Sequence, residues 1–484
     1  MGAALGSARA ECVGGARITP DGPPDETVRR TGAEGTTLAA QAVHSGRPAE
    51  DPARRDAGYL GSFTVRFLLG ASPSGSDTRS AIRGASILGV ASVAVKPVWL
   101  VFMLAACPRI LGVEGFGAMQ TALALASIAI AVSEFGISTH VLREVARARD
   151  RGRELFGRAA ALRTALVLGA VLGAVSVGLL LGYERALLLA VVGAGIYLGA
   201  QSLSATAGSF LRAYTRPVPE ALFSVADRVL VVALGGAALL AFGTAEWTLA
   251  GMAVAGALAL AVQAVWVSRR VVQGQAPRER RLGRLLWVAA PLGAANALAM
   301  LYARTDQMMI EAMLGVASAG QYAQAYRLLE ALSLLPALFV QGTLFSRLSR
   351  LDDEGDADGF RRLFRNGALL LTAASVTVSG ALVAVAPWLV RALTGDPAFD
   401  PAADVLRVLA WTFPFTCAKD LLFVTFISRR EHAAPIGIYL GAAAANALAN
   451  VAVIPIYGIA GAALTTLATE AAVVVLYLVA LRRR

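Results

Sequence analysis

The sequence predicts an all-α, polytopic integral membrane protein of about 12 transmembrane helices in two six-helix bundles, both termini cytoplasmic. Three observations carry this. About twelve apolar stretches alternate along the chain, each near the length that crosses a hydrocarbon layer about 30 Å thick. Hydrophobic residues make up 56% of the 484 and charged residues 16%, with a mean hydropathy of +0.61; an aqueous core needs far less apolar surface. Arginines then gather in every second loop.

The expected spans run in order from residue 85. The first two are Ala85 to Leu104 and Gly115 to Leu142. Ala159 to Tyr183, Ala186 to Ala207, Ala221 to Phe242 and Trp247 to Val267 complete the first six. After a basic, Pro277-containing connector come Leu285 to Leu314, Ser318 to Phe345, Gly367 to Leu393, Ala402 to Ile427, Ala433 to Tyr457 and Ile459 to Leu481. The domain organisation is therefore a tail at 1–84, a first bundle at 85–268, a connector at 269–284 and a second bundle at 285–484.

Charge orients the spans. With residue 84 in the cytoplasm, the even-numbered spans return there, and their loops and the C-terminal tail hold 24 arginines, among them Arg143 to Arg158, Arg278 to Arg284 and Arg482 to Arg484. The opposite loops hold Arg109, Arg185 and Arg391. The positive-inside rule places the rich side in the cytoplasm. The net charge of +11 is thus a topology signal beside anionic headgroups and not a nucleic-acid footprint. Residues 1–84, rich in Gly, Pro and Ala with mixed charge, read as a disordered cytoplasmic tail, and an over-extended start assignment fits equally well. Tyr59 to Ala71 suits an interfacial helix. Abundant Arg and Ala beside two lysines, Lys96 and Lys419, point to a GC-rich bacterial genome.

The two bundles repeat. Leu111, Gly112, Val113 and Gly117 recur at an offset of 203 as Leu314, Gly315, Val316 and Gly320, each after the first span of a set. Trp247, Ala250, Gly251 and Ala253 recur at an offset of 210 as Tyr457, Ala460, Gly461 and Ala463, opening each sixth span. Both sets start on the same side, so the repeats are parallel and the natural site lies between the bundles.

Two stretches carry a family resemblance. Leu285 to Leu351 contains Pro291, the Arg304 and Asp306 pair, Gly315, Gly320, Tyr322 and Tyr326, and Leu111 to Arg147 reads as an opening helical hairpin. In these the chain resembles the oligosaccharide flippases of Wzx type, in the polysaccharide transporter family of the multidrug, oligosaccharidyl-lipid and polysaccharide exporter superfamily. The resemblance implies that a polyprenyl pyrophosphate carrying a glycan is moved from the inner to the outer leaflet of the cell membrane by alternating access, with membrane lipids and glycan-assembly enzymes as further partners.

Such cargo needs a polar path, and a charge at mid-bilayer costs roughly 2.5 to 3.5 kcal/mol on insertion scales unless it faces protein or water. Lys96, Arg304 and Arg327 are the candidates for a cationic lumen, because guanidinium and ammonium groups bind phosphate; interhelical ion pairing is the alternative. Gln120, Ser127, Glu134 and Ser138 fall on one face of the second span. Gln321, Gln324, Arg327 and Glu330 wind along the eighth, with Arg327 in reach of Glu330. Arg304 shares a face with Asn296 and Gln307, while Asp306 projects to the other side, so each needs a partner on another span. Glu134, Asp306 and Glu470 are the candidates for a coupling H⁺ or Na⁺. Asp227, Arg228, Lys419 and Asp420 read as structural, being adjacent opposite charges nearer a cytoplasmic edge.

Other chemistries find no motif. Neither lysine stands in a Walker loop. In Leu351 to Phe360 the twelfth position of an EF-hand reading is Arg365, where a bidentate Glu is required. Cys12, Cys107, Cys417 and the scattered His44, His140 and His432 give no disulfide framework or metal cluster, and no catalytic constellation stands out. Gly169 to Gly173 and Gly251 to Ala255 read as close helix packing. The rival functions are an ion-coupled multidrug exporter of the same superfamily and a membrane glycan polymerase or transferase, which calls for a large exterior loop.

Overall fold

The computed structural model describes residues 97–274, 283–340, 344–428 and 433–482. The expected tail, Lys96 and residues 275–282 of the connector lie outside the described residues. All regular structure among the described residues is helical. They belong to one compact unit.

Helix begins at Pro97, passes a π-helical turn at Phe102–Ala106 and continues as α1 (Cys107–Glu134). Inside α1 the chain turns at Gly112, at φ 67° and ψ −177°. Gly315 takes φ 87° at the matching place in the second repeat. A Cβ at either residue would meet nothing within 4 Å, so it is the backbone conformation, not space, that requires glycine there. After α1 the helix is interrupted by Phe135 (φ 44°) and Gly136 (φ 64°), both left-handed, and resumes as α2 (Ile137–Arg147). The helices α3 (Gly152–Leu180), α4 (Arg185–Ala213), α5 (Pro217–Phe242) and α6 (Ala245–Arg270) complete the N-terminal set.

The C-terminal set comprises α7 (Gly283–Leu314), α8 (Val316–Phe339), α9 (Phe345–Asp353), α10 (Ala357–Thr394), α11 (Asp400–Ala410), α12 (Thr412–Ser428) and α13 (Ala433–Arg482), the last turned at Gly458 (φ 61°). Among the described residues seven helices are long and apolar enough to cross a membrane, or eight when α11 and α12, bent by 41°, count as one span. Two of the seven, 97–147 and 437–482, contain the glycine turns. Neither α7 nor α8, which carry charges within their spans, is among the seven.

The polarity of the molecule is inverted relative to a soluble protein. Leu180 (87% exposed), Leu240, Leu448 and Ile456 stand outward, while Gln120, Gln324, Asn446 and Asn450 are buried. An apolar exterior of this extent suits lipid. Small residues let helices approach at particular points: a Cβ on Gly251 would sit 2.6 Å from Leu234 O, so α6 lies hard against α5. Gly169 and Gly173 differ from expectation, for a Cβ on either meets nothing within 4 Å; they face outward on α3, and among the described residues no helix packs on them. In the acidic stretch before α10, Asp356 caps the helix by accepting from Gly359 N at 2.8 Å, a local use for a carboxylate next to a helix N-terminus.

The arginine-rich end of the N-terminal set is stitched by backbone. Tyr214 OH donates to Arg149 O at 2.6 Å and Arg153 N to Gln273 O at 2.8 Å. At the arginine-poor end the two sets are joined to each other. A Cβ on Gly320 would lie 2.5 Å from Val113 O and 3.0 Å from Gly117 Cα, so these repeat-related glycines cross at backbone contact. Arg109 donates to Leu393 O (2.8 Å) and to Ala392 O, and Tyr183 OH to Glu311 Oε2 at 2.6 Å.

A candidate substrate cavity between the two helix sets

A cavity of about 580 Å³ lies where the two sets meet, within the range of about 300–1,000 Å³ usual for ligand sites. The N-terminal set contributes Trp99, Met103, Leu104 and Arg228. From α7 and α8 come Tyr302, Tyr326, Arg327 and Glu330, and from α12 and α13 come Thr416, Lys419, Tyr439, Thr466 and Glu470.

Helical geometry and packing together place the charges. Arg327 donates through Nε and Nη2 to Gln120 Oε1 at 2.9 and 2.7 Å, bridging α8 to α1. Glu330 lies 3.8 Å from Arg327 and 3.2 Å from Arg304, so one carboxylate is shared by two guanidinium groups and the trio keeps one excess positive charge. Arg228 donates to Tyr197 OH at 3.1 Å and stands 5.0 Å over the Trp99 ring; among the described residues it makes no ion pair. Lys419 lies 2.7 Å from Glu470, and its ammonium is 5.7 Å from the Tyr439 ring. Tyr302 OH donates to Glu470 Oε1 at 3.3 Å, and its ring meets Tyr439 edge-on at 5.0 Å.

The expected site residues disperse. Arg327 lines the cavity, and Arg304 stands behind it through Glu330. Lys96 lies outside the described residues, and Asn296 lies in α7 in a stretch whose side chains are not described. Gln120 reaches the site only through Arg327. Ser127 and Glu134 are absent from the lining; Ser127 bonds back to Ala124 O, and the break at Phe135–Gly136 removes Ser138 from their common face. Gln307 is buried and Gln321 donates to Ala398 O at 2.8 Å. Gln324 ties the sets together by donating to Leu104 O at 2.9 Å.

Arg304 and Asp306 do diverge, each to its own partners. The Asp306 carboxylate accepts from Asn450 at 2.7 Å, Thr466 at 2.7 Å and Tyr322 at 3.1 Å, and Asn450 also donates to Asn446. Among the described residues no cationic side chain pairs with Asp306, and Asn450 Oδ1 has no hydrogen-bond partner.

Two charges read as structural also stand at the cavity. Arg228 and Lys419 line the cavity, because residues adjacent on a helix point about 100° apart. Asp227 turns away to accept from Gln201 at 2.7 Å, and Lys419 takes its partner from α13 and not from Asp420. The aromatic wall was also missed. It leaves a trace in the sequence, since Trp99 and Tyr302 stand 203 residues apart, the same offset as the glycine repeat.

Residues 81–352 match the family described as polysaccharide biosynthesis protein. The chain belongs to that family. No curated protein sequence matches it. Among solved structures, this member of the family is similar to an inward-facing multidrug resistance MATE family transporter of the MOP superfamily (TM-score 0.65, 15% identity, covering 79% of this chain and 94% of the other). It is also similar to the lipid II flippase MurJ in an inward closed conformation (TM-score 0.64, 13% identity, 82% and 87%). An outward-facing MATE structure gives a TM-score of 0.55 at 13% identity, over 86% and 97%. The family member therefore has the fold of these transporters.

Proposed function

We propose that the protein carries a polyprenyl-pyrophosphate-linked oligosaccharide from the inner to the outer leaflet of a bacterial cell membrane by alternating access, for cell-surface polysaccharide synthesis. The observation that carries this reading is the cavity between the two helix sets, where Arg228, Arg327 and Lys419 outnumber Glu330 and Glu470 and aromatic rings stand beside them. An anionic headgroup is stabilised by that excess charge. The positive-inside rule puts the arginine-rich end in the cytoplasm, and bundles 85–268 and 285–484 are then the moving bodies around the connector 269–284. In this reading cargo loads when the sets part at the cytoplasmic end, while the contacts of Arg109 and Tyr183 hold them together at the opposite end.

For the driving ion we assign H⁺ or Na⁺ to Asp306. Of the three carboxylates expected to couple, Glu470 is neutralised by Lys419 and Glu134 is only half-buried, whereas Asp306 is buried with neutral partners alone. A second reading, a small-molecule exporter, draws on the likeness to the MATE fold; the positive cavity speaks against cationic drugs as its cargo.

The test is deletion of the gene followed by mass spectrometry of lipid extracts. A polyprenyl-pyrophosphate glycan should accumulate on the cytoplasmic leaflet and disappear on re-expression of the wild type, while Arg228→Ala, Arg327→Ala and Lys96→Ala proteins, present in the membrane, should not clear it. Unchanged lipids with altered drug or metabolite efflux would favour the exporter.

A further inference from the structure

The cavity walls differ in charge. On the N-terminal wall Arg228 makes no salt bridge among the described residues, its neighbour Asp227 being turned to Gln201; it donates to the Tyr197 hydroxyl at 3.1 Å and stands 5.0 Å over the Trp99 ring. Arg327, nearby on α8, shares Glu330 with Arg304. On α12 and α13, Lys419 and Glu470 cancel one another at 2.7 Å. Beside this neutral pair stand the Tyr302 and Tyr439 rings, edge-on to each other at 5.0 Å.

These surfaces suit different chemistry. A diphosphate offers only acceptors and negative charge, so it is drawn to a free guanidinium and repelled by the Glu470 carboxylate. A sugar ring is neutral, has one face of C–H bonds that packs on an aromatic ring, and carries hydroxyls that both donate and accept. A matched ammonium and carboxylate beside two tyrosines meets all three properties.

We propose that the cavity divides the cargo's headgroup between its walls: diphosphate on Arg228 and Arg327, and the first sugar on a Tyr302–Tyr439 platform whose Lys419–Glu470 pair reads its hydroxyls. This rests on the lipid-linked glycan reading above. It makes Tyr439, Tyr302, Lys419 and Glu470 the residues that tell a loaded carrier from an empty one.

The experiment measures binding to full-length protein in nanodiscs with two probes: undecaprenyl diphosphate, and the glycan-bearing lipid purified from the deletion strain. The wild type should bind the glycan-bearing lipid at least tenfold more tightly. Tyr439→Leu and Tyr302→Leu, which keep an apolar filling, should erase most of that preference while leaving undecaprenyl diphosphate unchanged. Glu470→Gln, which frees the Lys419 charge, should weaken the glycan-bearing lipid and tighten undecaprenyl diphosphate. Arg228→Gln should weaken both probes. Equal losses for both probes in the tyrosine variants, or a preference that survives them, would overturn the division. A wild type that binds neither probe would instead overturn the lipid-linked glycan reading, and this subsite with it.

Discussion

Gly320 offers the sharpest test of how the two helix sets meet. In Gly320→Ala the new Cβ would lie 2.5 Å from Val113 O and 3.0 Å from the Gly117 backbone, against 3.4 Å or more for an ordinary contact. About 1 Å must therefore open between α1 and α8, and because the obstructing atoms are backbone, no rotamer change relieves it. Overpacking of this kind costs about 1–3 kcal/mol. The cost falls on the conformation in which the sets touch at the arginine-poor end and vanishes when they part there. A differential of that size shifts a two-state equilibrium roughly 5–150-fold. The assay is pulsed electron spin resonance on labels at Leu181 and Ala312, both exposed at this end, in a background without Cys12, Cys107 and Cys417. Gly320→Ala should enlarge the long-distance population. A folded variant with an unchanged distance distribution would refute the reasoning and reduce the glycine pair to packing.

Three other outcomes follow from the same geometry. Tyr183→Phe removes the donor to buried Glu311, an interaction of roughly 1.5–3 kcal/mol for a charged group, and should lengthen the same spin-label distances. Arg163→Lys replaces a fully buried guanidinium on α3 that bonds Ser133 O at the end of α1 and Ser202 Oγ on α4; an ammonium lacks the fork to reach both, so thermal unfolding in detergent should show a loss of about 1–3 kcal/mol. Asp306→Asn should leave the protein in the membrane but abolish the dependence of lipid export on Na⁺ or on external pH, whichever the wild type shows; a variant retaining that dependence would move coupling elsewhere.

Much of the fold was legible in the residues. Helical apolar segments and exposed leucines are composition, and composition follows directly from the solvent a segment must face. The glycine repeat was legible too, because Gly112 and Gly315 hold a backbone angle that side chains resist, so the constraint is written at single positions. The divergence of Arg304 and Asp306 followed from helical period alone. The candidate site was less legible. The stripe from Gln120 to Ser138 assumed an unbroken helix, and nothing in its period announces that Phe135 and Gly136 turn left-handed.

By itself the sequence determined that the chain is helical, that it lives in lipid, and which residues share a face within one helix, since each depends on neighbours a few positions apart. Only the tertiary structure decided which faces meet. Gln120 finds Arg327 from 207 residues away and Lys419 finds Glu470 from 51, and whether Arg228 is a structural charge or a cavity cation depends on how far α5 is rotated against its neighbours. That rotation is set by packing over whole helix surfaces, such as Gly251 against Leu234. Periodicity along one helix carries no record of it.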